Sequence, residues 1–139
     1  FIGLSGGHRP AHLYRSILEG ICLDQAQATA ALEKETGLRI EKFVAIGGGA
    51  SSPLWTQMLA DSTGKDVALS DTLEASALGA AMIAGYGVGL FDNLGTAVSK
   101  WLSVGNQTNP NPKLKTYYDQ RVDQFERLIE TLYHWHVGI

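Results

Sequence analysis

The sequence predicts an α/β layer structure, and three observations carry that prediction. Two short apolar runs of strand character, 41–46 and 66–69, alternate with segments of helical period. Each run passes through turn residues into a helix start. The order reads helix, strand, helix, strand, helix, helix, which is the pattern of helices layered on a sheet. At 139 residues the chain has the length of one domain, 1–139, and can bury a core of useful size.

Taken in order, Pro10–Thr36 reads as one long helix. Pro10 suits a first-turn position, where its missing N–H costs nothing. Leu13, Ile17 and Ile21 recur four apart, with Leu18 and Cys22 beside them, as an apolar stripe. Gly37 is the expected C′ residue. Gly20 inside the helix costs roughly 1 kcal/mol relative to Ala, so close approach of another backbone is expected there.

The run 41–46 is a strand whose apolar end predicts burial on both faces. Gly47 to Ser51 forms a tight loop. Ser52 and Pro53 then supply an N-cap and a first-turn proline for a helix ending at Thr63 and closed by Gly64. The second strand is 66–69. Asp71 and Glu74, three apart, predict a capping box before a helix over 74–86. The small residues Ala75, Ala77, Gly79, Ala80 and Ala81 make that helix narrow and predict tight helix–sheet packing, with Gly79 and Ala80 the positions of most interest. Leu94–Trp101 is a short helix and 106–112 a polar, proline-containing loop. A long amphipathic helix over 113–136 closes the chain, with Tyr117, Val122, Phe125, Leu128, Ile129 and Leu132 expected inside.

Composition narrows the function classes. Hydrophobic residues make up 45% and charged residues 18%, ordinary values for a globular protein. The net charge of -3 and the scattered 11 basic residues argue against nucleic acid as the main partner. No apolar run reaches the ~18 residues of a membrane span, and the start lacks the charged, apolar pattern of a signal peptide. Cys22, the single cysteine, excludes an internal disulfide and suits a cytoplasmic location. Phe1 opens the chain within an apolar run that reads as a strand end, so a piece of a longer protein is expected.

The chemistry concentrates at Gly47-Gly48-Gly49, between a buried strand and a helix start. Glycines allow positive φ and let a ligand approach bare main chain. N–H groups at the helix start, and roughly half a positive charge from its dipole, favour an anionic or polar ligand, phosphate or ribose. This is not a P-loop, since no lysine follows, and Ser52 stands where the dinucleotide fingerprint needs its third glycine. Two readings of the local sequence stay open: a nucleotide turn, or a tight turn that binds nothing. Trp55, one turn into the helix, is either a core residue or a wall beside a purine. Ser52 is first an N-cap.

Other constellations carry less. His8 and His12 have metal-ligand spacing but no third ligand near in sequence, so no metal site is expected. His134 and His136 point to different sides of a helix, as surface residues. Cys22 lies on a helical stripe and reads as core. No nucleophile elbow is present.

Two segments together resemble the FGGY family of carbohydrate kinases. Phe1-Ile2-Gly3-Leu4, seven residues, then His12-Leu13-Tyr14-Arg15-Ser16-Ile17-Leu18-Glu19-Gly20 is similar to that family's C-terminal signature. Gly47-Gly48-Gly49-Ala50-Ser51-Ser52-Pro53-Leu54-Trp55, continuing through Gln57, Leu59-Ala60-Asp61 and Gly64, is similar to its adenosine motif. Glu74-Ala75-Ser76-Ala77-Leu78-Gly79-Ala80-Ala81 resembles the helix that follows. The likeness runs from Phe1 to about Tyr86, and its details look nearer to xylulokinase-type members than to glycerol kinases.

The resemblance implies an actin-like, ribonuclease H-like ATPase fold, of which this chain is the partial C-terminal domain. It implies transfer of the ATP γ-phosphate, with Mg2+, to a hydroxyl of a sugar such as a pentulose. Carried over residue by residue, Gly48, Gly49 and Ala50 would approach adenosine and its ribose, Ser52 would contact the nucleotide, and Trp55 would support the pocket wall. The catalytic aspartate and the sugar-binding domain are expected upstream, so the chain alone is expected to be inactive. ATP or ADP and, through the missing domain, a sugar are the implied partners. Neither nucleic acid nor membrane is expected, and a homo-oligomer is left open. A non-catalytic nucleotide-binding or interaction module of the same fold is the alternative.

Overall fold

The computed structural model describes residues 1–72 and 74–137, without the side chains of His136 and Val137. Helix α1 (Pro10–Thr36) leads into strand β1 (Lys42–Ala45) and a 3-10 turn (Gly48–Ser51), followed by α2 (Pro53–Thr63) and β2 (Asp66–Ser70). Then come α3 (Ala75–Gly87), α4 (Leu94–Trp101), β3 (Val104–Thr108), a 3-10 turn (Pro112–Leu114) and α5 (Lys115–Val137). The sheet has the order β1-β2-β3. β1 and β2 are parallel and β2 and β3 antiparallel. Helices α1, α2 and α5 pack together, and α2 lies on β2. Among the described residues no helix is long and apolar enough to cross a membrane.

Local chemistry accounts for the element ends. Gly37 and Gly64 take left-handed φ values of 68° and 66°, and each donates its N–H to the carbonyl four residues back, closing α1 and α2. Glu33, in the last turns of α1, accepts from the Ile40 N–H and from Lys65 Nζ, both at 2.7 Å. The Lys65 hydrogen bond, then the Ile40 N–H, hold its carboxyl below the usual glutamate value. One carboxylate thereby ties the helix end to the start of both strands.

The α1–α2 seam is made of small residues. Cys22, Ala26 and Thr29 meet a partner helix that offers Ala60 and Ser62, all buried. Ser62 Oγ donates to the Cys22 carbonyl at 3.2 Å, a contact only small side chains allow. The apolar stripe expected at Ile17 and Ile21 is therefore rotated away: both are about half exposed. Nor does any backbone approach Gly20, whose added Cβ would meet nothing within 4 Å. The glycine leaves a gap between α1 and α5 rather than a contact.

Burial on both faces belongs to β2, where Val67 and Ala68 are buried, and not to β1. β1 is an edge strand that turns Phe43 and Ala45 inward and leaves Val44 exposed. The expected capping box does not form either. α3 starts three residues later than a box between Asp71 and Glu74 requires, so Glu74 is itself the N-cap residue and caps with no side-chain bond. Asp71 is drawn to β3 instead, where its N–H donates to the Ser103 carbonyl. Among the described residues the small side of α3 is left open: Ala77, Ala80 and Ala81 are exposed, and nothing lies within 4 Å of a Cβ at Gly79. Its apolar contacts run the other way, from Met82 to Phe91 and Ala97, and a Cβ on Gly85 would sit 2.8 Å from the Phe91 ring.

The loop expected over 106–112 is in its first half a strand. Buried or bound carboxylates make the difference. Asp66 accepts from Gln107 Nε2 at 2.8 Å and Asn109 Nδ2 at 2.7 Å, and Asp61 accepts from the Asn111 N–H at 2.7 Å and Gln57 Nε2 at 2.9 Å. A register shift between Ala68 and Ser70 marks a bulge beside Gly105, where the Asp71 carboxylate occupies the place of a Cβ. In α5 the innermost residue is Tyr118, not its neighbour Tyr117, and burial pushes its hydroxyl up to about 12. Val122, Phe125 and Leu128 are half-buried as expected, whereas Ile129 and Leu132 are exposed on the open recess between α1 and α5. Tyr117 spends its hydroxyl on the buried Glu19 carboxylate at 3.3 Å.

Asp61→Ala removes a buried acceptor that holds β3's exit to α2. It is expected to destabilise the chain by about 2 kcal/mol in chemical denaturation, the scale of hydrogen bonds to a charged group. An unchanged midpoint would mean that the Asn111 contact contributes nothing.

Candidate functional site: the glycine turn between β1 and α2

The turn that follows β1 uses each of its glycines differently. Gly47 takes φ 80°, ψ 176°, a backbone conformation that a side chain would strain. Gly48 lies outside the left-handed region, and a Cβ added there would meet nothing within 4 Å. Its surface is open. At Gly49 the Cβ position is already filled by the six-membered ring of Trp55. The protein's own indole, packed against residue 49, leaves room there only for glycine.

Backbone hydrogen bonds draw the turn tight. The Ala50 N–H donates to the Gly47 carbonyl and the Ser52 N–H to the Gly49 carbonyl, both at 3.1 Å. Ser52 is the N-cap, its Oγ accepting from the Trp55 N–H at 3.4 Å. Pro53 has no N–H to offer, and the Thr56 N–H is taken by the Ser52 carbonyl at 3.0 Å. The expectation of free donors at the start of α2 is thus corrected: of the first four residues of α2, only Leu54 keeps an N–H outside these contacts.

A cavity of about 110 Å³ adjoins the turn. Ala45 and Ile46 line it from the end of β1, Gly49 and Ala50 from the turn, and Trp55, Thr56 and Leu59 from α2. Three sequence-derived residues, Gly49, Ala50 and Trp55, thus come together around one recess, while Gly48 and Ser52 belong to the turn and its cap and are not among the lining residues. Ala45, Ile46, Thr56 and Leu59 were missed, since ordinary side chains at a strand end and on a helix carry no local mark of a site. Trp55 also borders a second recess with Ile21, Cys22 and Phe43, so its indole spans from the turn to α1. Burial pushes the Cys22 thiol up to about 11, against the opposing influence of the Trp55 indole. A buried thiol held protonated is a core residue.

The histidine pair has other work. The Ser5 and Arg9 N–H groups donate to Nδ1 of His8 and His12 at 2.9 and 3.1 Å, and the two rings stand edge to face. Both rings serve the start of α1. Among the described residues no group of three His, Cys, Asp or Glu side chains stands close enough to hold a metal ion. The side chain of His136 lies outside the described residues.

Comparison with known proteins gives a consistent result. The family model for the FGGY family of carbohydrate kinases, C-terminal domain, matches residues 1–88. The xylulose kinase of Lactococcus lactis subsp. lactis (strain IL1403) is 35% identical over 122 residues, 86% of this chain and 24% of that protein. The autoinducer-2 kinase of Enterobacter sp. (strain 638) is 33% identical over 116 residues, 84% of this chain and 22% of that protein. The crystal structure of xylulose kinase from Rhodospirillum rubrum superposes with a TM-score of 0.80 at 30% identity, over 97% of this chain and 27% of that one. The chain spans about a quarter of the length of the proteins it matches.

The Trp55–Gly49 contact can be tested by a double-mutant cycle. Gly49→Ala is expected to cost about 1–3 kcal/mol in chemical denaturation, as overpacking does, and under about 1 kcal/mol in a Trp55→Leu background. Additive costs would show that the ring does not occupy the space beside Gly49.

Proposed function

Since this chain belongs to the FGGY family of carbohydrate kinases, we propose that it is the ATP-binding part of an enzyme that moves the γ-phosphate of ATP to a hydroxyl of a sugar. The curated relatives suggest a pentulose such as xylulose as the first acceptor to try. One observation carries the assignment of the site: Gly48 is bare and open at a turn that borders a recess, within the segment matched to the family.

The residues fit a nucleoside. Main chain at Gly48 and Ala50 can lie against adenosine and its ribose with no Cβ from residue 48 between them. Ser52 orders the turn through its cap and is close enough in sequence to reach the ribose. Trp55 acts from below, holding the turn in shape through Gly49. Bound ATP would supply the phosphoryl group, with Mg2+ as its accompanying cation. What this chain does is bind and orient the nucleoside end.

Phosphoryl transfer needs more than this. It depends on an aligned hydroxyl nucleophile and on charge placed against the transferred phosphate. No carboxylate and no cation lines the recess beside the turn. The general base and the sugar contacts are therefore assigned to the larger enzyme, and the chain alone is expected to release no ADP from ATP with a pentulose above a boiled control.

Gly48→Ala tests the site without disturbing the fold, because its Cβ enters open space at an ordinary φ. ATP affinity by titration calorimetry is expected to fall about tenfold or more, with the melting temperature unchanged. Unaltered affinity in a folded variant would remove the nucleotide from this turn.

A further inference from the structure

We infer that the chain carries an anion site for a phosphate group, in the cavity where its opening segment meets the first turns of α1 and the side of α5. The site is built from side chains away from the glycine turn and does not rest on the nucleotide reading of that turn.

The cavity measures about 500 Å³. His8, His12, Arg15 and Glu19 line it from α1 and the turn before it, and Arg121 lines it from α5. Nearly all of these groups are donors. The Ser5 and Arg9 N–H groups donate to Nδ1 of His8 and His12 at 2.9 and 3.1 Å, so each neutral ring carries its own proton on Nε2. Among the described residues neither guanidinium has a carboxylate within 4 Å. Arg121 Nη1 donates to Gln124 Oε1 at 3.1 Å, which leaves most of its donors unspent. Glu19, four residues after Arg15 on the same helix face, is the expected partner of Arg15. It is only 9% exposed, and its Oε1 accepts from the Tyr117 hydroxyl at 3.3 Å instead. Two cations against one largely buried carboxylate leave the cavity positive, in a chain whose net charge is -3.

A ring of donors selects a ligand made of acceptors. Phosphate is such a ligand, since its oxygens take guanidinium forks and imidazole N–H groups together. A carboxylate has too few oxygens to engage two guanidiniums and two imidazoles, and a neutral sugar hydroxyl needs an acceptor as well as a donor. Glu33 ties the end of α1 to the strand starts, whereas Ile21 and Cys22 border Trp55, so α1 begins at the end of the sheet that carries the glycine turn. Arg15 stands roughly 10 Å before Cys22 along the helix. The phosphate has two sources on this geometry: the tail of a nucleotide seated on the turn, or a separate phosphorylated molecule.

The test is titration of the chain with inorganic phosphate, a pentulose 5-phosphate and ATP at constant ionic strength, read by calorimetry and backbone amide shifts. Inorganic phosphate is expected to bind saturably, with the largest shifts at His12 and Arg15, and to bind about tenfold or more weakly in Arg15→Gln and in Arg121→Gln. Arg127→Gln removes the same charge from a part of α5 outside the cavity and is expected to leave the affinity unchanged. Displacement of phosphate by ATP, with ATP affinity lowered in Arg15→Gln, would assign the site to the nucleotide's tail. Phosphate and ATP bound together, with the pentulose 5-phosphate competing against phosphate alone, would assign it to a separate phosphorylated ligand. Unsaturable binding, or an equal loss in Arg127→Gln, would overturn the inference and leave the proposed function standing.

Discussion

The ring of Trp55 fills the volume that any side chain at residue 49 would need, and the site is organised around that exclusion. The contact fixes the turn against the first coil of α2. It also ties that coil to α1, because the same indole borders the recess containing Ile21 and Cys22. A turn of three glycines would by itself be among the most mobile segments of a chain, since glycine loses the most conformational freedom on ordering. Here Gly47 provides the unusual φ, the paired hydrogen bonds to Gly47 and Gly49 close the turn, and the indole holds it from inside. A ligand then meets a surface already in shape, so less ordering has to accompany binding.

The same economy of small residues recurs behind the site. Cys22, Ala26, Ala60 and Ser62 let α1 and α2 approach closely enough for a side chain to reach the opposite backbone. This rigid pair carries the turn at the start of α2. On the far side, Asp61 and Asp66 bracket the chain between Gln107 and Asn111 and so hold β3 against β2. The glycine turn is thus backed by helix packing on one side and a hydrogen-bonded strap on the other.

Much of this was readable in the sequence where the cause is local. Pro10, Gly37, Ser52, Pro53 and Gly64 marked the bounds of α1 and α2, because caps and helix-starting prolines act within a few residues. The turn itself was visible as three consecutive glycines. What escaped depends on partners far along the chain. The strand at Val104–Thr108 looked like a loop because its support comes from carboxylates some 40 residues earlier. The buried side of α1 was misjudged because Ile17 and Ile21 are more hydrophobic than Cys22 and Ala26, yet the seam selects for size. The demand for glycine at residue 49 also comes from the Trp55 ring, six residues on, and three consecutive glycines do not reveal it.

The account stands on the nucleoside lying across the main chain at the hand-over from β1 to α2. Backbone amide shifts recorded while ATP is titrated into the isotope-labelled chain test this most directly. The largest and saturable changes should fall on Gly48, Gly49, Ala50 and Ser52, with smaller ones on Ile46 and Leu59. Changes centred elsewhere, for example around His12 and Arg15 at the start of α1, with the glycine amides unmoved, would contradict it.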